Sequence, residues 1–259
     1  MPFATLPNAR LHYELEGPQS APVIVFSHSL GATLAMWGRQ AAAFSDRFRV
    51  LRYDTRGHGQ SSSPPGPYDI EGLAGDVLSL LDSLKIDRVH FCGLSMGGQT
   101  GQWLALNAPH RLNKLVLCNT GAKIGIAENW NARIDAVTKA GMKEIANSVV
   151  ARWFSPTFHE LHSEDVAPCL SALEAAVPLG YVACCAAVRD YDVRDSVSKI
   201  RIPTLVITGA HDVATPPSDG RYLAEQIPGA RYAELNAGHL SCIEDVARFN
   251  AELTAFLAS

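Results

Sequence analysis

Apolar residues along the chain fall into two alternating patterns. One is a short unbroken run of aliphatic and β-branched residues, the sign of a strand buried on both faces of a parallel sheet. Val23–Ser27, Arg49–Tyr53, Val89–Cys92, Lys114–Cys118, Pro203–Thr208 and Arg231–Leu235 read this way. The other pattern has the period of a helix. It is clearest in Ile70–Leu84, where Leu73, Val77, Leu80, Leu81 and Leu84 share one face behind a candidate N-cap, Asp69. Ala35–Phe44, Met96–Asn107, Asp219–Gln226 and Ile243–Leu257 also read as helices. Ahead of the first buried run, Phe3–Leu6 and Arg10–Glu16 form a hairpin across Pro7-Asn8-Ala9.

This alternation predicts an α/β fold. Its sheet is eight-stranded and mostly parallel, with right-handed crossovers and flanking helices. The rhythm stops at Asn119. From Gly121 to Asp195 there is no strand pattern, only helical segments near Trp130–Ala140, Met142–Phe154, Ser163–Ala176 and Leu179–Val188. We therefore expect a core made of residues 1–120 and 196–259. Residues 121–195 would form a helical cap, inserted after the sixth strand. It would lie over the C-terminal edge of the sheet, where α/β sheets bind ligands.

Composition narrows the function classes. The chain has 259 residues, 47% of them hydrophobic, and a net charge of −4 with no basic run. That argues against a nucleic-acid partner. Residues 1–20 lack a cationic start and an apolar core, so no leader is expected. The apolar stretch Ala175–Val188 is too short and, at Pro178 and Gly180, too broken to cross a membrane. The six cysteines include no Cys-x-x-Cys pair, so reduced, buried thiols in a cytoplasmic protein are expected, without structural zinc.

The candidate chemistry begins at Gly93-Leu94-Ser95-Met96-Gly97. A bare Gly-x-Ser-x-Gly occurs by chance in loops. Here a buried run precedes it and a helical pattern follows, the context of a nucleophile elbow. A serine hydroxyl needs an adjacent base, and the base an orienting carboxylate. Asp212 follows the strand ending at Thr208, and His239 follows the strand ending at Leu235. Ser95, Asp212 and His239 are thus the candidate triad. Asp219 and Asp54 are rivals for the acid, and His211 is the rival base. His58 and His110 read as loop residues. The oxyanion hole needs two aimed N–H groups, assigned to the backbones of Met96 and Leu30. His28 is expected to brace that loop. Asp54–Gly59 reads as a turn locked by an Asp–Arg pair, since no phosphate-binding pattern is present.

The order of these motifs resembles the α/β-hydrolase family over essentially the whole chain. Leu51–Gly59, Phe91–Gly98, Leu117-Cys118-Asn119-Thr120 and Arg152-Trp153-Phe154 resemble, more narrowly, the 3-oxoadipate enol-lactonases of aromatic (protocatechuate, β-ketoadipate) catabolism. Many relatives read His-Gly where this chain reads His28-Ser29, and enol-lactonases commonly carry serine there. The chain stops at Ser259, so it resembles the form not fused to a decarboxylase.

The resemblance implies a small lactone with a free carboxylate as substrate, opened to 3-oxoadipate without a metal or organic cofactor. The carboxylate calls for a cation under the cap. Trp130 and Arg133 lie at i, i+3 on one expected helix face. They are the candidate substrate-binding pair, with Trp153 from the Arg-Trp-Phe stretch. A solvated arginine beside a core tryptophan is the bland alternative, and Arg152 and Arg189 are rivals. Two other readings stay open: a cofactor-free carboxylesterase or perhydrolase for neutral esters, and a non-catalytic ligand receptor on the same fold. A homo-oligomer is also left open.

Overall fold

The computed structural model describes residues 2–259. Its strands are β1 (Phe3–Thr5), β2 (Arg10–Glu16), β3 (Val23–Ser27), β4 (Arg49–Tyr53), β5 (Val89–Leu94), β6 (Leu112–Cys118), β7 (Thr204–Gly209) and β8 (Arg231–Leu235). They form one eight-stranded sheet in the order β1-β2-β4-β3-β5-β6-β7-β8. β2 pairs antiparallel with β1 and β4, and every later pairing is parallel. This is the mostly parallel α/β sheet that the alternation predicts.

Successive residues of a strand face opposite sides, which explains the unbroken apolar runs. In β3, Ile24 and Phe26 join one core with Trp37, Phe44 and Phe249. Val25 joins the other with Val77, Leu80 and Phe91. Both faces are buried, so the strand is apolar up to Ser27, whose hydroxyl is paired with that of Tyr53.

Three helices precede β6: α1 (Gly38–Phe44), α2 (Ile70–Ser83) and α3 (Met96–Asn107). Asp69 caps α2 as expected, its side chain accepting from Gly72 N–H at 2.7 Å. Between β6 and β7 lie α4 (Ala127–Ala140), α5 (Met142–Val150), α6 (Pro156–Leu161), α7 (Ser163–Glu174) and α8 (Pro178–Asp190). After β7 come α9 (Pro217–Gln226), α10 (Ser241–Glu244) and α11 (Val246–Leu257).

Two details differ from the periodicity. The second helix of the insertion ends at Val150, not Phe154, and the separate helix α6 follows. The carbonyl of Trp153 accepts the N–H of Leu240 at 2.8 Å, so tertiary pairing takes a group that a continuing helix would need. The last helix breaks at Asp245, whose side chain caps α11 through Arg248 N–H.

Among the described residues no single helix is long and apolar enough to cross a membrane; α7 and α8 qualify only as a pair bent by 99°. All six cysteines are free thiols.

Candidate active site

Ser95 sits between the end of β5 and the first residue of α3, with φ 58° and ψ −114°. This strained conformation persists because the surroundings fix it. The Ser95 N–H donates to Cys118 O at 2.9 Å, and its carbonyl accepts from Gln99 N–H and from Thr120 Oγ1 at 2.8 Å. The turn also requires its glycines. A Cβ on Gly93 would meet Gly97 O at 2.1 Å, and one on Gly97 would meet Ser27 O at 2.3 Å. Ser95 is thereby held at the N-terminus of α3, where backbone N–H groups and the helix dipole favour negative charge.

Asp212 follows β7 and His239 follows β8, so parallel strands bring both to the edge that carries Ser95. Asp212 Oδ2 accepts from His239 Nδ1 at 2.8 Å, from Thr215 Oγ1 at 2.7 Å and from Asn119 Nδ2 at 2.9 Å. Its other oxygen accepts the N–H groups of Ala214 and Thr215. Burial would raise this carboxyl. The charge and hydrogen bond of His239, with those of Thr215 and Asn119, outweigh it and hold Asp212 down at about 2. Asp212 is therefore a fixed carboxylate that selects the His239 tautomer with the proton on Nδ1.

Ser95 and His239 line one cavity of about 90 Å³. Ser95 Oγ makes no hydrogen bond among the described residues, and His239 Nε2 lies 3.5 Å from Ser29 Oγ. Such contacts are commonly loose before substrate arrives and tighten on binding.

Leu30 lines the same cavity, on the loop after β3. Two histidines hold that loop. His28 Nδ1 donates to Ser29 O, and its Nε2 accepts from Thr55 N–H at 2.9 Å. His58 Nε2 accepts from Gly31 N–H at 2.8 Å. An accepting ring nitrogen carries no proton, so both rings are neutral. Burial lowers His28 despite the nearby Asp54 charge, and burial with His28 alongside lowers His58 to about 3. His28 braces the loop as expected; His58, a loop residue with no expected role, is a second brace. Met96 is buried at the start of α3.

The expected Asp54–Arg56 lock is not formed. Asp54 instead accepts from His12 Nδ1 at 2.7 Å and from the N–H groups of Leu34 and Gln60. Arg56 pairs with Asp76 on α2 through both Nε and Nη2. The planar fork of Arg56 finds a bidentate partner across the chain that its neighbour two residues away could not offer.

The insertion supplies the other wall of the cavity. Trp130, Arg133, Arg152 and Trp153 all line it. Trp130 Nε1 donates to Ile124 O at 2.7 Å, which fixes its ring, and the Arg133 guanidinium lies 4.9 Å from the ring centre. Arg133 has no carboxylate partner among the described residues. Of the rivals, Arg152 lines the cavity with Nη2 on Val213 O, while Arg189 lies outside it, paired with Asp190 and bonded to Asn131. His211 is exposed and bonded to Asn236. Asp219 does not line the cavity; burial and the Asp212 charge raise it to about 6.

Sequence reasoning assigned no role to Asn119, Thr215 or Glu244. Asn119 carried one usable signal, a polar residue directly at the end of a buried strand on the binding edge.

Comparisons with known proteins agree on the family. Residues 22–246 match the family model described as alpha/beta hydrolase fold. The chain is 44% identical to 3-oxoadipate enol-lactonase 2 of Acinetobacter baylyi, over 98% of this chain and 95% of that one. It is 38% identical to 3-oxoadipate enol-lactonase 1 of the same organism, over 96% and 93%. The crystal structure of the enol-lactonase from Burkholderia xenovorans LB400 superposes with a TM-score of 0.98 at 45% identity, covering all of both chains.

Proposed function

This chain belongs to the alpha/beta hydrolase fold family, and from that premise we propose that it opens the lactone ring of 3-oxoadipate enol-lactone to give 3-oxoadipate. Its relatives of 44% and 38% identity carry that activity in their names. The observation within the molecule that supports it best is Arg133, a cation without a carboxylate partner in the cavity that also holds Ser95 and His239.

In this reading residues 121–195 form the cap, and residues 1–120 with 196–259 form the core. The substrate's acetate arm lies under the cap, its carboxylate on Arg133 and its ring against Trp130 and Trp153. The lactone carbonyl faces Ser95. Ser95 Oγ attacks the carbonyl carbon as His239 Nε2 takes its proton. The carbonyl oxygen becomes an oxyanion, held by the N–H groups of Leu30 and Met96. When the carbonyl re-forms, the bond to the ring oxygen breaks. The ring oxygen leaves as an enolate; the proton held on His239 passes to it, which returns the imidazole to its neutral form, and the enol settles as the ketone with that proton on carbon. That makes it a good leaving group.

The acyl group then rests on Ser95. Water gives a proton to His239 and attacks the acyl carbon through a second oxyanion, and Ser95 is released with its proton restored. The balance is lactone plus water giving a keto dicarboxylic acid. Asp212, ionised throughout, stabilises the imidazolium that forms in each half-reaction. The site calls on no cofactor. Six free thiols fit a reducing compartment, and we place the enzyme in the cytoplasm.

The test is a side-by-side assay of the purified protein on the enol-lactone and on a neutral p-nitrophenyl ester of similar size. A kcat/KM far higher on the lactone is expected. Equal or better turnover of the neutral ester would favour the general esterase reading.

A further inference from the structure

We propose that Asn119 is a positioning residue of the catalytic triad: one side-chain amide ties the loop of the acid to the loop of the base, sharing a carboxylate oxygen of Asp212 with His239. The proposal rests on the reading of Ser95, Asp212 and His239 given above.

Asn119 follows the last residue of β6. Its N–H donates to Ile207 O of β7 at 2.8 Å, and its φ of 43° lies in the left-handed region, which asparagine tolerates better than most residues. The side chain is fully buried. Nδ2 donates to Asp212 Oδ2 at 2.9 Å and to Gly238 O at 3.1 Å, and Oδ1 accepts from Ser241 Oγ at 2.6 Å. These partners settle the amide orientation. Two acceptors face the NH2 group and a hydroxyl faces the carbonyl, so reversing the amide would set like against like.

Two stretches far from Asn119 in sequence therefore meet on one amide: the turn after β7, and the loop after β8 where it runs into α10. Gly238 directly precedes His239, so the bond to its carbonyl fixes where the imidazole leaves the backbone. The bond to Asp212 acts on charge. His239 Nδ1 and Asn119 Nδ2 donate to the same oxygen. Removing the Asn119 donor leaves more negative charge uncompensated there, and that oxygen then holds a proton on the imidazole more strongly. The base is freed only at higher pH.

The other titratable and charged groups around the pair are Asp219 on α9, Glu244 on α10, and Arg133 and Arg152 across the cavity. Cys118 and Cys242 lie nearby as thiols that burial pushes up and keeps neutral. None of these is altered by a change at 119.

The experiment compares pH profiles of kcat/KM for the wild type, Asn119→Ala and Ser241→Ala, on whichever ester the wild type turns over. Asn119→Ala is expected to lower kcat by about 10- to 100-fold, the weight of a charge-assisted hydrogen bond, with little change in KM. The acid limb should move to higher pH. Ser241→Ala loosens the same anchor without touching the carboxylate, so its acid limb should stay in place. Asn119→Asp, which keeps the shape but cannot serve both acceptors, replaces alanine if that variant does not fold, with the same loss and the same direction expected.

A wild-type profile, or a lower kcat with an unmoved acid limb in the Asn119 variants, would overturn the proposal. Ser95→Ala, run in parallel, separates the two levels: if it stays active the triad reading itself fails. If it is inactive while Asn119→Ala behaves as wild type, only the role of Asn119 fails.

Discussion

His58 Nε2 accepts the backbone N–H of Gly31 at 2.8 Å, so the turn after β4 holds the loop that carries Leu30, the candidate oxyanion donor. His28 makes the matching bond in the other direction, accepting from Thr55 N–H. Each ring must be neutral to accept, and protonating either one ejects an N–H donor that has no other partner among the described residues.

Both histidines are lowered from an ordinary value of 6.5, chiefly by burial, His58 to about 3. The unfolded chain therefore takes up protons below pH 6.5 that the folded protein refuses. Their contribution to stability is complete above that pH and is lost progressively as pH falls towards 3. Tm measured across that range should fall on acidification. In His58→Gln, whose amide oxygen can still accept from Gly31 but does not titrate, the decline should be shallower. An unchanged slope in that variant would show that His58 is not one of the groups responsible.

Ser95→Ala removes the only hydroxyl on the elbow. It should lower kcat by about 10⁴-fold or more while Tm stays near the wild-type value. The strained backbone at 95 is set by the flanking glycines and by Cys118 and Thr120, none of which alanine disturbs. Residual turnover near the wild-type rate would assign the nucleophile elsewhere.

Ser95, Asp212 and His239 could be read as a candidate set because each lies just after a strand of a parallel sheet, and the sheet's topology decides which strand ends share an edge. The elbow was legible because Gly93 and Gly97 stand where a Cβ would run into neighbouring backbone. What could not be read are contacts made between segments distant in sequence. Arg56 finds Asp76, not the adjacent Asp54, because a helix face and a turn meet only after folding. The early end of α5 has the same origin: the N–H of Leu240 takes the Trp153 carbonyl, a group that local periodicity assigns to a helix. Asn119 was visible as a buried-strand terminus, but its side-chain partners, Asp212 on one side and Gly238 with Ser241 on the other, lie some ninety to one hundred and twenty residues further on.

Arg133→Ala should raise KM for the carboxylate-bearing lactone by about 10- to 100-fold, the scale of a lost charged hydrogen bond. KM for a neutral ester should hardly change. Arg133→Lys should recover part of the loss, since an ammonium keeps the charge but cannot form the bidentate pair. The guanidinium sits on the Trp130 ring, so Trp130→Ala should weaken the same discrimination. Equal effects of Arg133→Ala on both substrates would remove the carboxylate from Arg133.

Glu244 joins the loop that carries His239, the candidate base, to the insertion. Its carboxylate accepts the N–H of Gly238 at 2.9 Å and the N–H of Ser155 at 3.0 Å, and also takes the Ser155 hydroxyl. Gly238 precedes His239, and Ser155 lies two residues after Trp153, which walls the cavity. Leu240 N–H completes the seam on Trp153 O. The imidazole and this part of the insertion are therefore held as one piece. Glu244→Ala leaves two backbone donors unpaired at a half-buried site, at a cost of about 1–3 kcal/mol. Tm should fall, and kcat should fall with it as the imidazole loses its fixed direction. Glu244→Gln keeps one strong acceptor and should lose less of both. If kcat survives Glu244→Ala while Tm drops, the seam stabilises the fold without orienting the base. Temperature scans and kinetics on the same two variants decide between these outcomes.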